Sequence, residues 1–108
     1  MARIFISYRR EDSGAWAGRL HDRLREHFGR DNVFMDIDTI EPGLDFTDVI
    51  ERTVASCDVL IALIGRQWLT STDAAGQRRL DNPEDFVRLE IAAALKRNIR
   101  VIPALVGP

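Results

Sequence analysis

The feature that most restricts the fold is an unbroken apolar run, Val59–Ile64. It is far shorter than the roughly 20 residues that a membrane-spanning helix needs. A short apolar run without polar alternation is typical of a central strand covered on both faces, and such strands occur mainly in parallel sheets flanked by helices. The run therefore predicts an α/β fold.

Three further short strands and three helices are predicted before and after this run along the sequence. Apolar, β-branched runs predict strands over residues 3–8, 32–35 and 100–106. Because strand and helix patterns alternate along the chain, right-handed crossovers would give a parallel sheet with helices on both faces.

Each predicted helix has a candidate cap at its start. Asp12 or Ser13 would cap the first helix, which Gly29 ends and in which Trp16 is predicted to be core. Asp45 would cap the second helix. The segment Asn-Pro-Glu-Asp at 82–85 supplies a cap, a proline suited to the first helical position and acids for the third helix, which runs to about residue 97.

Composition limits the class of protein. A chain of 108 residues has one core, which excludes a two-domain enzyme. Fifteen basic and seventeen acidic residues give a net charge of −2, so we expect no direct binding to nucleic acid. Cys57 is the single cysteine, and no apolar leader or membrane span is present, so we expect a cytoplasmic protein that is not bound to a membrane.

The carboxyl ends of the strands are the expected ligand edge, because open parallel sheets bind ligands there. Tyr8, Arg9 and Arg10 follow the first strand, and guanidinium forks at that position are suited to a pyrophosphate. The alternative interpretation is a surface arginine pair that balances Glu11 and Asp12.

Glu90 is a carboxylate inside an apolar helical segment, residues 86–95. A partly buried carboxylate is suited to proton transfer or to stabilising a cation. The alternative is a helix-face glutamate that pairs with Arg97 or Arg88 at the boundary of the core.

The sequence lacks residues that other familiar enzyme chemistries require. Asp36 and Asp38 are spaced like the first motif of a magnesium-dependent phosphatase, but the downstream lysine and second acidic pair are missing. His21 and His27 would lie on different faces of one helix, and Cys57 has no nearby histidine. We therefore predict no metal site and no bound cofactor.

Three ordered motifs resemble the TIR (Toll/interleukin-1 receptor) domain family, in particular its bacterial type. They are IFISYRR at residues 4–10, VFMD at 33–36 leading to IEPG at 40–43, and DFVRLEI at 85–91 followed by an alanine-rich helix and IRVIP. The resemblance implies a flavodoxin-like sheet. Since family members usually continue through a further helix, strand and helix, residues 1–108 are interpreted as one TIR domain that is C-terminally incomplete.

For many bacterial members, the resemblance implies cleavage of the nicotinamide–ribose bond of NAD+, which is a substrate rather than a cofactor. The products would be nicotinamide and either ADP-ribose or a cyclic form of it. Glu90 falls on the family's catalytic position. The resemblance also implies that the nucleotide site is formed by Tyr8, Arg9 and Arg10, with Trp68 at its border and Phe86 where the family often has tryptophan.

The resemblance further implies self-association through a loop called the BB loop. Its residues here are Asp36, Asp38, Ile40, Glu41, Pro42 and Gly43. We expect a homo-oligomer, or a complex with other TIR domains, that is active in bacterial antiviral defence or signalling. A non-catalytic TIR–TIR scaffold is the alternative, and a TIR domain that binds a nucleotide without cleaving it is a third interpretation.

Overall fold

A computed structural model describes residues 2–35 and 45–107. In these parts, four strands form one parallel sheet and three α-helices pack against it. The strands are β1 (Ile4–Ser7), β2 (Val33–Phe34), β3 (Val59–Ile64) and β4 (Arg100–Leu105), and the helices are α1 (Arg10–Phe28), α2 (Phe46–Ala55) and α3 (Phe86–Lys96). Within the described ranges no helix has the length and apolar character needed to cross a membrane. The predicted α/β class, with a flavodoxin-like parallel sheet, is confirmed.

The predicted central strand is also confirmed. The sheet order is β2-β1-β3-β4, so β3 is hydrogen-bonded to a strand on each side, with Ile61 opposite Ile6 and Ile102. Its side chains alternate between two apolar clusters, which accounts for the absence of polar residues in this run. One cluster faces α2 and α3 and includes Phe5, Ile50, Leu60 and Ala94, whereas the other faces α1 and includes Ile6, Ala17, Val33 and Leu63.

Helix α1 differs from the prediction at its start. It begins at Arg10, has no side-chain cap, and is kinked at Ser13, whose φ of −139° and ψ of 20° are not helical. Ser13 donates its hydroxyl proton to the Arg9 carbonyl instead of capping an amide, at 3.4 Å. Asp12 does not cap the helix because its carboxylate binds a distant loop. The predicted cap was therefore wrong.

Trp16 was also predicted incorrectly. Its side chain is 44% exposed, and the Arg19 guanidinium lies 5.8 Å from the centre of its ring. The buried stripe of α1 contains Ala17 and the partly buried Leu20 and Leu24. Trp16 precedes Ala17 by one residue, about 100° around the helix, which places it outside that stripe.

Aspartates cap the other two helices, and of these Asp45 is the predicted cap whereas Asp85 takes the place predicted for Asn82. The Asp45 carboxylate accepts a hydrogen bond from the Thr47 amide at 3.0 Å, and Asp85 accepts one from the Arg88 amide at 3.1 Å. Pro83 does not occupy the first helical position, because Asp85 rather than Asn82 is the cap and α3 begins at Phe86.

Strand β4 lies at one edge of the sheet among the described residues and carries exposed apolar side chains. Ile102 is 42% exposed and Leu105 is 84% exposed. An edge strand with bare apolar side chains favours association with another surface.

Candidate functional site

A cleft of about 200 Å³ opens between the carboxyl end of β1 and the first turns of α3. The fold brings these segments together because α3 packs against the same sheet whose first strand ends at Ser7. Five of the six residues predicted for the catalytic and nucleotide site lie around this cleft, namely Tyr8, Arg9, Arg10, Phe86 and Glu90. It is therefore our candidate active site.

Glu90 combines burial with access to the cleft. It is 8% exposed and shares the sheet-facing side of α3 with Val87, Ala93 and Ala94, which are all buried. Glu90 nevertheless lines the cleft. A charged oxygen in surroundings with little water interacts more strongly with a nearby cation than it would in bulk solvent. The position therefore suits the stabilisation of developing positive charge.

Arg9 is buried, with 5% exposure, so the alternative of a surface pair with Glu11 and Asp12 was wrong for this residue. Its two terminal nitrogens donate to the two Asp85 carboxylate oxygens, at 2.9 and 2.8 Å. Its Nε donates to the Trp68 carbonyl at 3.2 Å. The guanidinium fork that was predicted to hold phosphate thus binds a carboxylate of the chain itself.

Arg10 and Arg79 supply cationic side chains at the cleft. Arg10 is exposed, and Arg79 comes from a short 3₁₀ turn (Arg79–Asp81) in the irregular segment after β3. The Arg79 Nε donates to the Thr72 carbonyl at 3.2 Å and lies 3.4 Å from a Glu11 carboxylate oxygen. Sequence reasoning missed Arg79 because an irregular segment has no periodicity that predicts which way a side chain points.

Glu11, in the first turn of α1, binds the irregular segment that carries Arg79. The Ser71 hydroxyl donates to a Glu11 carboxylate oxygen at 2.7 Å. That hydrogen bond, the glutamate's own backbone amide and the charges of Arg79 and Arg9 together outweigh desolvation, and they hold the pKa of Glu11 below its ordinary value of 4.5. Glu11 is therefore ionised and paired at neutral pH.

We expect Glu11→Gln to reduce stability at pH 7 but not in acid. Because the pKa is lower in the folded than in the unfolded chain, the stabilisation is complete above 4.5 and is lost as pH falls through the folded-state pKa. Urea unfolding of both proteins, at pH 7 and at points below 4.5, should give a stability difference that shrinks with acidity. A difference independent of pH would contradict this assignment.

Trp68 is placed differently from the prediction that it borders the site. Among the described residues, Trp68 does not line the cleft. Its backbone carbonyl accepts a hydrogen bond from Arg9, which does line the cleft. Its indole nitrogen is buried without a hydrogen-bond partner among the described residues. Phe86, by contrast, is 40% exposed and lines the cleft.

The six predicted BB-loop residues lie outside the described residues, as they fall within 36–44. Over residues 2–35 and 45–107, no three histidine, cysteine or acidic side chains are grouped as a metal site would require. Cys57 is buried, and burial raises the pKa of its thiol, so it is a poor nucleophile.

Asp12 forms a second link that the sequence did not predict. Its carboxylate accepts hydrogen bonds from the backbone amides of Gly65, at 2.9 Å, and Gln67, at 2.7 Å. A Cβ atom added to Gly65 would lie 2.5 Å from that carboxylate. The close approach explains the glycine and fixes the segment after β3 against α1.

Comparison with known proteins identifies the fold. A family model described as TIR domain matches residues 4–108. A search of curated proteins returned no match. Among solved structures, the TIR domains of the activated Roq1 resistosome, which directly recognizes the pathogen effector XopQ, are similar with a TM-score of 0.66 at 17% identity. The alignment covers 97% of this chain and 57% of that chain, so this chain spans a little over half its length.

Proposed function

Because the chain belongs to the TIR domain family, we propose that it is an NAD+ nucleosidase that cleaves the bond between nicotinamide and ribose. The observation that carries the proposal is Glu90, a buried carboxylate at the edge of a cleft that also presents arginines and aromatic rings. The products are nicotinamide and either ADP-ribose or its cyclic form.

The chemistry requires one carboxylate. The C1′–N bond breaks and its electron pair goes to the pyridinium nitrogen, so nicotinamide leaves as a neutral molecule without a general acid. The ribose left behind has oxocarbenium-like charge, which the Glu90 carboxylate stabilises. Water then forms the new C1′–O bond and loses a proton, which yields ADP-ribose.

The size of the cleft sets the pose of the substrate. Sites for whole small molecules occupy about 300–1,000 Å³, whereas this cleft occupies about 200 Å³. It therefore encloses the nicotinamide riboside end beside Phe86 and Tyr8, whose rings line the cleft. The diphosphate lies towards Arg10 and Arg79, where guanidinium groups suit its charge.

We also propose that the domain acts as an assembly. A cleft too small for a dinucleotide leaves the adenosine end exposed unless a second copy covers it. The TIR domains of the Roq1 resistosome, which are part of an assembly, share this fold, and the predicted BB loop supplies a segment for such contacts. We place the activity in bacterial defence or signalling in the cytoplasm.

Nicotinamide release from NAD+ tests the proposal. The full-length protein, concentrated or forced to self-associate, should release nicotinamide together with an equal amount of ADP-ribose or its cyclic form. Binding of NAD+ without release would support a nucleotide sensor. Association without binding would support the non-catalytic scaffold, and either result would overturn the proposed activity.

Arg79→Gln should raise the KM for NAD+ by about tenfold with little change in kcat, because the guanidinium contacts the diphosphate equally in the ground and transition states. Arg78→Gln is the matched control, since Arg78 is exposed, pairs with Asp81 and does not line the cleft. Steady-state kinetics of both variants measure the split. A fall in kcat at constant KM would contradict the assignment.

A further inference from the structure

We propose that Arg9 and Asp85 form a buried clamp that positions Glu90, so that Arg9 is a positioning residue and not a ligand of the substrate phosphates. The inference rests on the proposed NAD+ cleavage. It assigns a role to a buried arginine–aspartate pair, whose side chains are 3% and 7% exposed.

The geometry of the pair is bidentate. Both terminal nitrogens of Arg9 donate to separate oxygens of Asp85, at 2.9 and 2.8 Å. Two parallel hydrogen bonds fix the orientation of the carboxylate as well as its distance, which a single ammonium group cannot do. The Nε–H of Arg9 donates to the Trp68 carbonyl at 3.2 Å.

Asp85 has two roles at once. The oxygen that accepts from Arg9 at 2.8 Å also accepts from the Arg88 amide at 3.1 Å as the N-cap of α3. Glu90 lies five residues further along this helix, about 7.5 Å along its axis. Because a helix is rigid over that length, fixing the cap fixes the Glu90 carboxylate relative to the end of β1.

The clamp also joins three segments that meet at the cleft. Arg9 lies between β1 and α1, Trp68 lies in the segment that carries Arg79, and Asp85 is the N-cap of α3. The Arg9 carbonyl accepts from the amides of Asp12 and Ser13, at 3.1 and 2.8 Å, so the backbone of Arg9 is held as well as its side chain. A substrate phosphate would have to displace Asp85 to bind this fork, and that would leave a carboxylate buried without its partner.

Two conservative substitutions test the clamp. Arg9→Lys keeps the charge but loses the bidentate geometry, and Asp85→Asn keeps a good helix cap but loses the ion pair. We expect each to lower kcat by about 10- to 100-fold, with KM changed less than about threefold, since a displacement of about 1 Å can cost that much. The double variant should be no slower than the slower single variant.

The phosphate-ligand interpretation predicts the opposite pattern. There, Arg9→Lys raises KM, and Asp85→Asn frees Arg9 and lowers KM. Either change in KM at constant kcat would overturn the clamp. Arg78→Lys and Asp81→Asn are the matched controls, because they form an exposed arginine–aspartate pair nearby, and they should leave kcat and KM unchanged.

Amide hydrogen exchange separates failure of the clamp from failure of the proposed function. In the folded variants, the amides of Leu89 and Glu90 should exchange at least tenfold faster than in the parent protein, whereas amides of α2 should not change. This holds whether or not the parent cleaves NAD+. Unchanged exchange in α3 overturns the clamp even if nicotinamide is released, and faster exchange in a protein that releases none overturns only the activity. Variants too unstable to fold are replaced by Asp85→Ser, which retains a cap.

Discussion

Glu90→Gln is expected to lower the rate of nicotinamide release by about 10³-fold while NAD+ still binds. Glutamine has nearly the same shape as glutamate and fits the same buried position on α3, but it has no negative charge. Removing a preorganised electrostatic partner of a transition state costs about 10²–10³ in rate. A full charge facing an oxocarbenium-like ribose in a site with little water belongs at the upper end of that range.

The measurement is the initial rate at saturating NAD+, with nicotinamide quantified by chromatography, alongside a direct binding assay. Glu84→Gln is the matched control, because Glu84 is exposed just before the same helix and does not line the cleft. It should retain the parent rate. If Glu90→Gln cleaved NAD+ as fast as the parent, Glu90 would be a structural residue of α3.

The parts of the fold that depend on residues close together in the sequence were predictable from the sequence. The apolar run of β3 and the cap Asp45 could be recognised because each pattern is complete within a few residues. Asp12 and Arg9 look like an ordinary cap and an ordinary surface arginine in the sequence. Their real partners are 53 and 76 residues away, so only the tertiary fold decides their roles.

In the candidate site, too, some residues could be predicted from the sequence and others could not. Glu90 could be found because a charge inside an apolar helical stripe is unusual, and Arg10 because strand ends are where parallel sheets bind ligands. Arg79 and Ser71 lie in an irregular segment, where no period predicts the direction of a side chain. The sequence therefore located the cleft residues on α3 and at the end of β1 better than those of the irregular segment.

Asp12→Ala is expected to destabilise the protein by about 3 kcal/mol. It removes two hydrogen bonds from a carboxylate to the amides of Gly65 and Gln67, and bonds to charged groups contribute about 1.5–3 kcal/mol each. The Gln67 bond is exposed, so its share lies at the low end. Asp12→Asn retains one acceptor oxygen and should lose about half as much, as urea unfolding at constant m would show.

Gly65→Ala distinguishes this contact from a general effect on α1. In the parent protein the added Cβ would lie 2.5 Å from the Asp12 carboxylate, and the resulting displacement should cost about 1–3 kcal/mol. The Asp12→Ala background removes the three atoms nearest to the added Cβ, which all belong to the Asp12 carboxylate. Since the φ of Gly65 is not in the left-handed region, alanine there should stabilise the chain by about 0.4–1 kcal/mol through the unfolded state. The same substitution thus changes sign between two backgrounds. An equal cost in both would show that the glycine is required by something other than the carboxylate that holds this segment against the helix.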